Sequence, residues 1–432
     1  MTPQTEFLVV APVADGREAE LRALLDTMNS APGLADPENA LVPFGRFERL
    51  HFARLVVLDD ANMADLGRYG LSPPRLAPRL ALLGDCDGPS EKLLSELSTR
   101  AGDGLRRLFS HCEGFDPAGD LLVWMREHSV PASANYVNWV GRTVRQVREE
   151  SALQRALSAR VPREGLASAG DVQRVRRELV DYVGAEVRAG RLLLSASEPT
   201  PARWRAANLL HAVSVPLLGL VALPLLIIAL PLLTYQLRRR ELSDPEVCPP
   251  PSPESLAALR RLEDRDLTNQ FTAIGPVKLG LFRRWLVTVL LVLIDHGCRH
   301  IFTRGDLARV QTIHFARWVV LDGGVRVLFV SNYDGSHEAY MDDFINKVAW
   351  GLNLIFSNGV GWPRTDWLIK RGARREPCFK KYQRGHQVPT QVWYKAYPGL
   401  TLVDLRRNQR IREGLEQAHM SDAQALAWLR LL

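Results

Sequence analysis

The stretch HFARLVVLD at residues 51–59 returns as HFARWVVLD at residues 314–322, so two distant parts of the chain share nearly the same sequence. Other blocks recur in the same order around it. FLVVAPVADG, from residue 7, recurs as FTAIGPVKLG from residue 271, and HSVP, from residue 128, recurs as HQVP from residue 386. Because the blocks keep their order, we interpret them as the two copies of an internal duplication.

The apolar pattern predicts the same elements in both copies: a strand, a helix, two paired strands, a helix and a further strand region. In the second copy, this predicts strands over residues 271–277, 314–321 and 326–331 and helices over 281–295 and 336–354. The first copy has a longer connection, residues 60–79, which is rich in Gly and Pro as a loop should be. This order is the ferredoxin-like pattern, so the predicted fold class is α+β with two ferredoxin-like repeats.

Two such units in one chain resemble the pseudo-dimer of the dimeric α/β-barrel superfamily, which includes chlorite dismutases, dye-decolorizing peroxidases and small monooxygenases. The resemblance covers about 270 residues and rests on the order of elements, so it implies a pseudo-dimeric α/β barrel and little about chemistry. Residues 84–88, GDCDG, also match the GxxDG motif with which dye-decolorizing peroxidases place an acid over haem. The motif fixes only three positions, and in the second copy Ser331 stands in place of its first glycine.

An uncharged stretch separates the two copies. Residues 206–237 contain no Asp, Glu, Lys or Arg, and the stretch exceeds the about 20 apolar residues that a membrane span needs. Pro216, Pro224 and Pro231 interrupt it, and arginines flank both of its ends. Because both flanks then prefer the cytoplasm, we expect a re-entrant hairpin that anchors the protein to the cytoplasmic face of a membrane. A single span and a buried helix pair are the alternatives.

Membrane lipid is therefore the first predicted partner. We expect apolar contacts with lipid from Leu218, Leu225 and Ile228, and contacts with anionic headgroups from Arg238, Arg239 and Arg240. The formal charge of +7 does not predict nucleic acid as a partner, because the arginines are not interleaved with aromatic residues. The five cysteines are scattered without a C-x-x-C pair, so we interpret them as reduced thiols in a cytosolic protein.

Composition and repeats together predict the layout of the chain. The 432 residues are 46% hydrophobic, which excludes a disordered or collagen-like chain. The predicted parts are a first ferredoxin-like repeat over residues 1–141, charged connecting helices over 142–205, the membrane anchor over 206–240, a Pro-rich linker over 241–265, and a second repeat with C-terminal helices over 266–432.

His314 and Arg317 are candidate site residues because both are repeated in the first copy. Alternation along a strand places His314, Ala316 and Trp318 on one face and Arg317 on the other, so either residue can line the space between two sheets. The alternative is a core histidine and an arginine that pairs with Asp322 or Asp334. Asp334 itself lies where a strand turns into a helix, where an Asp either caps the following helix or serves as a catalytic acid.

His386 and Tyr394 form another candidate group, eight residues apart in the second copy. A histidine near tyrosines can ligate haem or shuttle protons, and the alternative is a loop histidine bonded to backbone. We therefore assign His314, Arg317, Asp334 and Tyr394 as candidate catalytic residues and His386 as a candidate cofactor ligand. The cofactor itself is unknown, with haem as one option.

These features predict a membrane-associated, oxidoreductase-like enzyme, such as a haem peroxidase or oxygenase, that acts on a lipid-derived or other apolar substrate. The alternative is a non-catalytic lipid-binding or scaffold protein of the same fold. The sequence lacks a phosphate-binding loop, H-E-x-x-H, G-x-S-x-G and a Rossmann fingerprint, which disfavours nucleotide hydrolysis, zinc proteolysis and α/β-hydrolase chemistry.

Overall fold

Long strands flanked by helices build both halves of the chain, in a mixed α+β fold. The computed structural model describes residues 1–59, Gly67, 77–161 and 169–432. Most of the predicted loop over residues 60–79, and a part of the predicted connecting helices over residues 142–205, therefore lie outside the described residues.

Among its described residues, the first half contains three long strands and several short helices. In chain order its elements are β1 (Gln4–Pro12), α1 (Glu18–Asp26), β2 (Asn29–Ala31), β3 (Leu34–Ala35), β4 (Leu50–Leu58), β5 (Arg79–Asp87), α2 (Ser90–Arg100), α3 (Gly102–Phe109), α4 (Leu121–Glu127) and β6 (Ala134–Val137). Asp120 caps α4, because its carboxylate accepts the free N–H groups of Leu122 and Val123.

Four helices connect the two halves in the part of the chain that the structure describes. They are α5 (Val144–Ser158), α6 (Ala169–Arg188), α7 (Ala202–Ser243) and α8 (Pro253–Leu262). The second half then continues with β7 (Thr268–Pro276), α9 (Leu281–His300), β8 (Ile313–Leu321), β9 (Arg326–Asp334), α10 (His337–Phe356), β10 (Thr365–Asp366), β11 (Lys370–Arg371), α11 (Glu376–His386), β12 (Val392–Lys395), α12 (Leu402–Glu416) and α13 (Asp422–Leu429).

The predicted elements of the second copy are confirmed, with boundaries that differ by a few residues. The helix predicted from residue 281 begins at Leu281 and continues to His300, and the paired strands predicted from residues 314 and 326 are β8 and β9. Their apolar residues follow the helical and strand periods closely enough to set these limits.

The strands form two main sheets, and each sheet receives a strand from the other half. One sheet has the order β1-β5-β4-β12-β3-β2 and the other has the order β6-β8-β9-β7. β12, from the end of the second half, pairs antiparallel with β4, while β6, from the first half, pairs antiparallel with β8. Three long strands in each sheet therefore come from one half and a short strand comes from the other.

Backbone hydrogen bonds also join the sheets at their opposite edges. Just before β6, Val130 donates its N–H to the Leu8 carbonyl in β1 at 2.9 Å. Just before β12, Val388 donates to the Thr272 carbonyl in β7 at 2.8 Å. The last strand region of each half thus contacts its own first strand before it crosses to the other sheet.

Apolar side chains fill both the outer and the inner faces of the sheets. One core packs helices of the first half against β1, β4 and β5, and includes Leu21, Leu55 and Leu93. A second core packs α9 and α10 against β7, β8 and β9. Between the sheets lies a third cluster with side chains from both halves, including Val56 and Val319.

The apolar stretch forms one continuous helix, α7, of 42 residues, so the predicted hairpin is wrong. Pro216, Pro224 and Pro231 all lie inside this helix. Each proline removes only its own N–H donor, and apolar helices tolerate that loss where other groups can satisfy the freed carbonyl. The hairpin prediction treated the prolines as breaks, whereas their spacing of eight and seven residues leaves whole helical turns between them.

Two cysteines contradict the prediction of five reduced thiols. Cys248, in the Pro-rich linker, is bonded to Cys378 in α11, and their Cα atoms lie 5.1 Å apart. The remaining three, Cys86, Cys112 and Cys298, are free and buried. The bonded residues are 130 positions apart, and no spacing motif in the sequence could have predicted their pairing.

Candidate functional site

Both halves of the chain contribute side chains to the space between the two sheets. One part of it is filled by Val, Leu, Ile and Ala side chains of β1, β4, β5, β7, β8 and β9, which are at most 7% exposed. The other part contains buried polar side chains from the same strands.

Two corresponding arginines, Arg54 and Arg317, occupy the polar part. Arg317 in β8 donates to the Phe7 carbonyl at 3.1 Å and pairs with Asp85 in β5. Arg54 in β4 reaches the opposite way and bonds the Phe271 carbonyl at 2.9 Å and Asn332 in β9. Each arginine therefore ties its own half to the first and third long strands of the other half.

Asn332 and Asp85 connect these two arginines into one network. They hold corresponding positions in the two halves, and the Asn332 amide donates to Asp85 Oδ2 at 3.2 Å. Burial, together with the neighbouring Arg317, lowers the pKa of Arg54 to about 9. Burial also raises the pKa of Asp85, while Arg317 opposes that shift. All four side chains have partners, so the network holds the halves together and offers no free acid or base.

The two histidines of the HFAR motifs occupy β-bulges. In β4, Leu50 and Phe52 pair with Cys86 and Asp85, which leaves His51 as an extra residue. A register shift of the same kind, between Ile313 and Phe315, falls at His314 in β8. A β-bulge changes the direction in which the side chain of its extra residue points. The predicted alternation therefore fails at His314 and holds from Ala316 onward.

Each re-aimed histidine contacts the aspartate at the end of the neighbouring strand. His314 Nε2 lies 2.7 Å from Asp334 Oδ1, and His51 Nε2 lies 3.0 Å from Asp87 Oδ1. The alternative prediction, that Arg317 pairs with Asp322 or Asp334, is wrong, because Arg317 reaches across the sheets to Asp85.

The aspartates bind a different helix from the one predicted. Asp334 accepts the N–H of Leu402, the first residue of α12, at 2.7 Å, and Asp87 accepts that of Val144, the first residue of α5, at 2.9 Å. The helix that follows Asp334 is capped by Ser336. Asp334 therefore satisfies a free N–H group at the start of α12 and orients His314, so its role is structural.

Tyr394 lies apart from these histidines, whereas Tyr397 contacts one of them. Tyr394 in β12 stacks on Phe44 with 5.3 Å between ring centroids, and burial raises its pKa. Tyr397 lies 3.0 Å from His51 Nδ1, and burial and then Asp87 raise its pKa well above the ordinary value. The cavity beside His51, His314 and Tyr397 has a volume of about 20 Å³, which holds about one water molecule.

His386 ends α11, where its Nδ1 lies 2.8 Å from the Tyr382 carbonyl and its ring stacks on Tyr382. Burial lowers its pKa to about 4. A cavity of about 30 Å³ adjoins it, and a Cβ built on Gly275 would lie 2.6 Å from its ring. This packing leaves no room for a haem ring, so the residues at this position do not fit the cofactor considered from the sequence.

The GDCDG stretch has a structural explanation as well. A Cβ on Gly84 would lie 2.1 Å from the Phe52 carbonyl, so only glycine permits this approach of β4 and β5. Gly88 has a φ of 74°, which glycine adopts without strain at the turn into α2. Both glycines are thus required by the sheet.

The largest exposed apolar surface among the described residues belongs to α7. Leu218, Leu225 and Ile228 are 73%, 72% and 78% exposed. Of the flanking arginines, Arg238 bonds Asp366 at 2.7 Å and Arg240 lies over the Phe282 ring, while Arg239 is exposed. The leucines and the isoleucine are therefore accessible and their contact with lipid stays a prediction, whereas Arg238 and Arg240 are engaged by the protein itself.

Both ends of α7 are attached to the α/β body. Near its end, Glu241 accepts hydrogen bonds from the backbone of Trp367 and Leu368 at 2.9 and 2.8 Å. Near its start, His211 Nδ1 lies 2.9 Å from His300 Nε2 of α9. His211, His296 and His300 are also close enough together to share a metal ion.

A larger cavity, of about 460 Å³, lies at the start of α7. Trp204 and Asn208 of α7 line it together with Arg299 near the end of α9, Arg304 just after that helix, and residues of β1 and β6. Its size falls in the usual range of small-molecule sites, and its lining combines aromatic rings with arginines.

Sequence reasoning missed several members of the paired networks. His51, Arg54 and Asp87 are the repeat partners of His314, Arg317 and Asp334, so the recurring blocks did contain the signal. Asp85 and Asn332 also occupy corresponding positions of the repeated blocks, but nothing in the sequence indicated that they bond each other. No protein family, curated protein or solved structure matches this chain.

Proposed function

We propose that this protein is a monotopic, membrane-anchored lipid-binding protein whose two ferredoxin-like units form a non-catalytic core. The observation that carries the proposal is α7, which is apolar and exposed on all sides along its middle yet attached to the α/β body at both ends. A helix without a polar face needs hydrocarbon around it, because such a surface is unstable in water.

The attachment of both ends favours a monotopic arrangement. If α7 crossed a bilayer, His211 and Glu241 would lie near opposite surfaces, and the body that binds both would have to accompany the helix through the lipid. In this proposal the body stays on one side, and the exposed apolar residues of α9, such as Trp285, Val292 and Leu293, add a second contact with lipid.

The exchanged strands support the pseudo-dimeric α/β barrel that the sequence resembles. β6 and β12 each pair with the second long strand of the other half, and the residues before them pair with the first strand of their own half. This is the pairing expected when two ferredoxin-like units close a barrel together.

The filled interior favours the non-catalytic alternative over the oxidoreductase. The candidate catalytic side chains His314, Arg317 and Asp334 are bonded to one another or to the opposite half, and the adjoining cavity accommodates about one water molecule. An apolar substrate could reach none of them without separating the sheets.

Lipid binding is proposed for the cavity at the start of α7. Arg304 offers charge to an anionic headgroup beside Arg299, which also pairs with Asp295, and Trp139 and Trp204 offer apolar surface to acyl chains. The Cys248–Cys378 bond favours an oxidising compartment for this side of the membrane and argues against the cytoplasmic face predicted from the arginines.

Vesicle flotation tests the anchor. We expect the protein to float with anionic phospholipid vesicles, and we expect a variant with Leu218→Asp, Leu225→Asp and Ile228→Asp to stay in the soluble fraction, since three charges in hydrocarbon are costly. Leu193→Asp with Val403→Asp is the matched control, because both residues are exposed outside α7. Equal flotation of all three proteins would contradict the proposal.

Two further measurements separate lipid binding from catalysis. Asn208→Trp fills the cavity, and we expect it to remove co-purified lipid, seen by mass spectrometry, while flotation is retained.

A haem titration should give no stoichiometric Soret band. A band that His386→Ala abolishes would support the oxidoreductase instead.

A further inference from the structure

The start of α7 meets the end of α9 at a cluster of three histidines. His296 and His300 are four residues apart on α9, so they project from the same side of that helix. His211 comes from α7, and its Nδ1 lies 2.9 Å from His300 Nε2. One nitrogen from each of the three rings lies within 4.8 Å of the other two.

We propose that His211, His296 and His300 form a binding site for a divalent transition metal ion, with Zn²⁺ as the preferred ion. Imidazole nitrogen is a common zinc ligand, at about 2.0–2.1 Å from the metal. Nitrogens around a tetrahedral ion at that distance are about 3.4 Å apart, so only small side-chain shifts separate the observed positions from a bound geometry.

The hydrogen bonds of the cluster suit a metal. The 2.9 Å contact between His211 and His300 requires one shared proton, and an ion would replace that proton with two metal–nitrogen bonds. His296 Nδ1 is buried and has no hydrogen-bond partner among the described residues. An ion bound through this nitrogen would satisfy it as well as join the two helices.

A carboxylate already holds the position that usually supports a zinc-bound histidine. Asp295 Oδ2 lies 3.4 Å from His211 Nε2, on the side of the ring opposite to Nδ1. Asp295 is in turn fixed by the Asn135 N–H at 3.2 Å and by Arg299 at 2.8 Å. Such carboxylates fix the tautomer and orientation of the ligating ring, and they strengthen metal binding.

The described residues supply three ligands, which leaves the fourth position of a tetrahedral ion to water. The ion would fasten the base of the lipid anchor to α9, beside the cavity that Asn208 and Arg299 line. This metal site is independent of whether the cavity binds lipid, since none of the three histidines lines it.

A metal titration tests the site on the full chain in detergent. After removal of bound metal with a chelator, Zn²⁺ is added in competition with a chromophoric chelator. We expect one equivalent to bind tightly to the wild-type protein, and more than tenfold weaker binding in His211→Ala, His296→Ala and His300→Ala. Asp295→Asn should weaken binding by about 10–100-fold. His419→Ala, at an exposed histidine elsewhere, is the control and should bind as the wild type does.

Co²⁺ provides a readout that does not depend on the variants folding. Bound to the wild-type protein, it should show the intense visible bands of a four-coordinate ion, and excess Zn²⁺ should remove them. Absence of one-equivalent binding in the wild type would overturn the proposal. So would Zn²⁺ binding that is undiminished in a folded His296→Ala, His300→Ala double variant.

Discussion

At the scale of single residues, the polar side chains between the sheets bond the two halves of the chain to each other. Arg317 and Asp85 come from different halves, and each is about 2% exposed. A buried ion pair adds little net stability compared with an apolar pair, but removal of one partner leaves an unpaired charge. The effect of a substitution at this position should therefore be large.

We expect Asp85→Asn to lower the free energy of unfolding by about 3–5 kcal/mol, since Arg317 would lose its only carboxylate partner among the described residues. Urea unfolding in detergent measures the change. Glu91→Gln is the matched control, because its pair with Arg126 is exposed and its loss should alter stability little. A change below about 1 kcal/mol in Asp85→Asn would mean that this pair does not hold the halves together.

Buried histidines should make stability depend on pH. Burial lowers the pKa of His386 and of His337 to about 4, whereas an unfolded histidine titrates near 6.5. Between these values the unfolded chain binds more protons, so stability is complete above about pH 6.5 and is lost as the pH falls towards 4. Each histidine contributes at most about 1.4 kcal/mol per pH unit in that window.

Unfolding titrations from pH 7 to 4 check this expectation. In His386→Gln the slope of the unfolding free energy against pH should decrease by about 1.4 kcal/mol per pH unit, the equivalent of one proton. This change does not depend on the stability of the variant at pH 7. His419→Gln, at an exposed position, should keep the wild-type slope. An unchanged slope in His386→Gln would show that folding does not lower the pKa of this side chain.

At the scale of elements, the segment after α7 is held to the body by several independent contacts. Asp244 accepts hydrogen bonds from Lys278 and Arg283, both at 2.7 Å, and Cys248 is bonded to Cys378. The Pro-rich linker is thus attached to the second half by hydrogen bonds and a disulfide. These contacts fix where α7 ends, and they thereby orient this helix relative to the sheets.

Counting the reactive thiols tests the disulfide between Cys248 and Cys378. When the chain is unfolded in urea and alkylated without a reductant, we expect three modified cysteines, and five after reduction. Reduction should also lower the unfolding free energy, by up to about 4–5 kcal/mol on a loop-entropy estimate, because it releases a long closed loop. Cys248→Ser should lose this sensitivity and Cys112→Ala should keep it. Five thiols without a reductant would disprove the bond and with it the oxidising location.

At the scale of the whole molecule, periodicity predicted the long strands and helices but not how the halves combine. The alternation in β8 and the apolar run of α9 are local properties, so the sequence could reveal them. The bulges at His51 and His314 insert a single residue, and the destinations of Asp87 and Asp334 depend on helices far along the chain. No local pattern records such contacts.

The exchange of strands has a consequence for how the chain is made. β4 ends at Leu58, but its partner β12 begins at Val392, and β6 likewise precedes α7 while its partner β8 follows it. A ribosome therefore releases α7 while the first sheet still lacks β12 and the second sheet still lacks β7, β8 and β9. In the proposed membrane arrangement, α7 can enter lipid before the body closes, so the nascent protein would already be held at a bilayer surface when its slow, long-range pairing takes place.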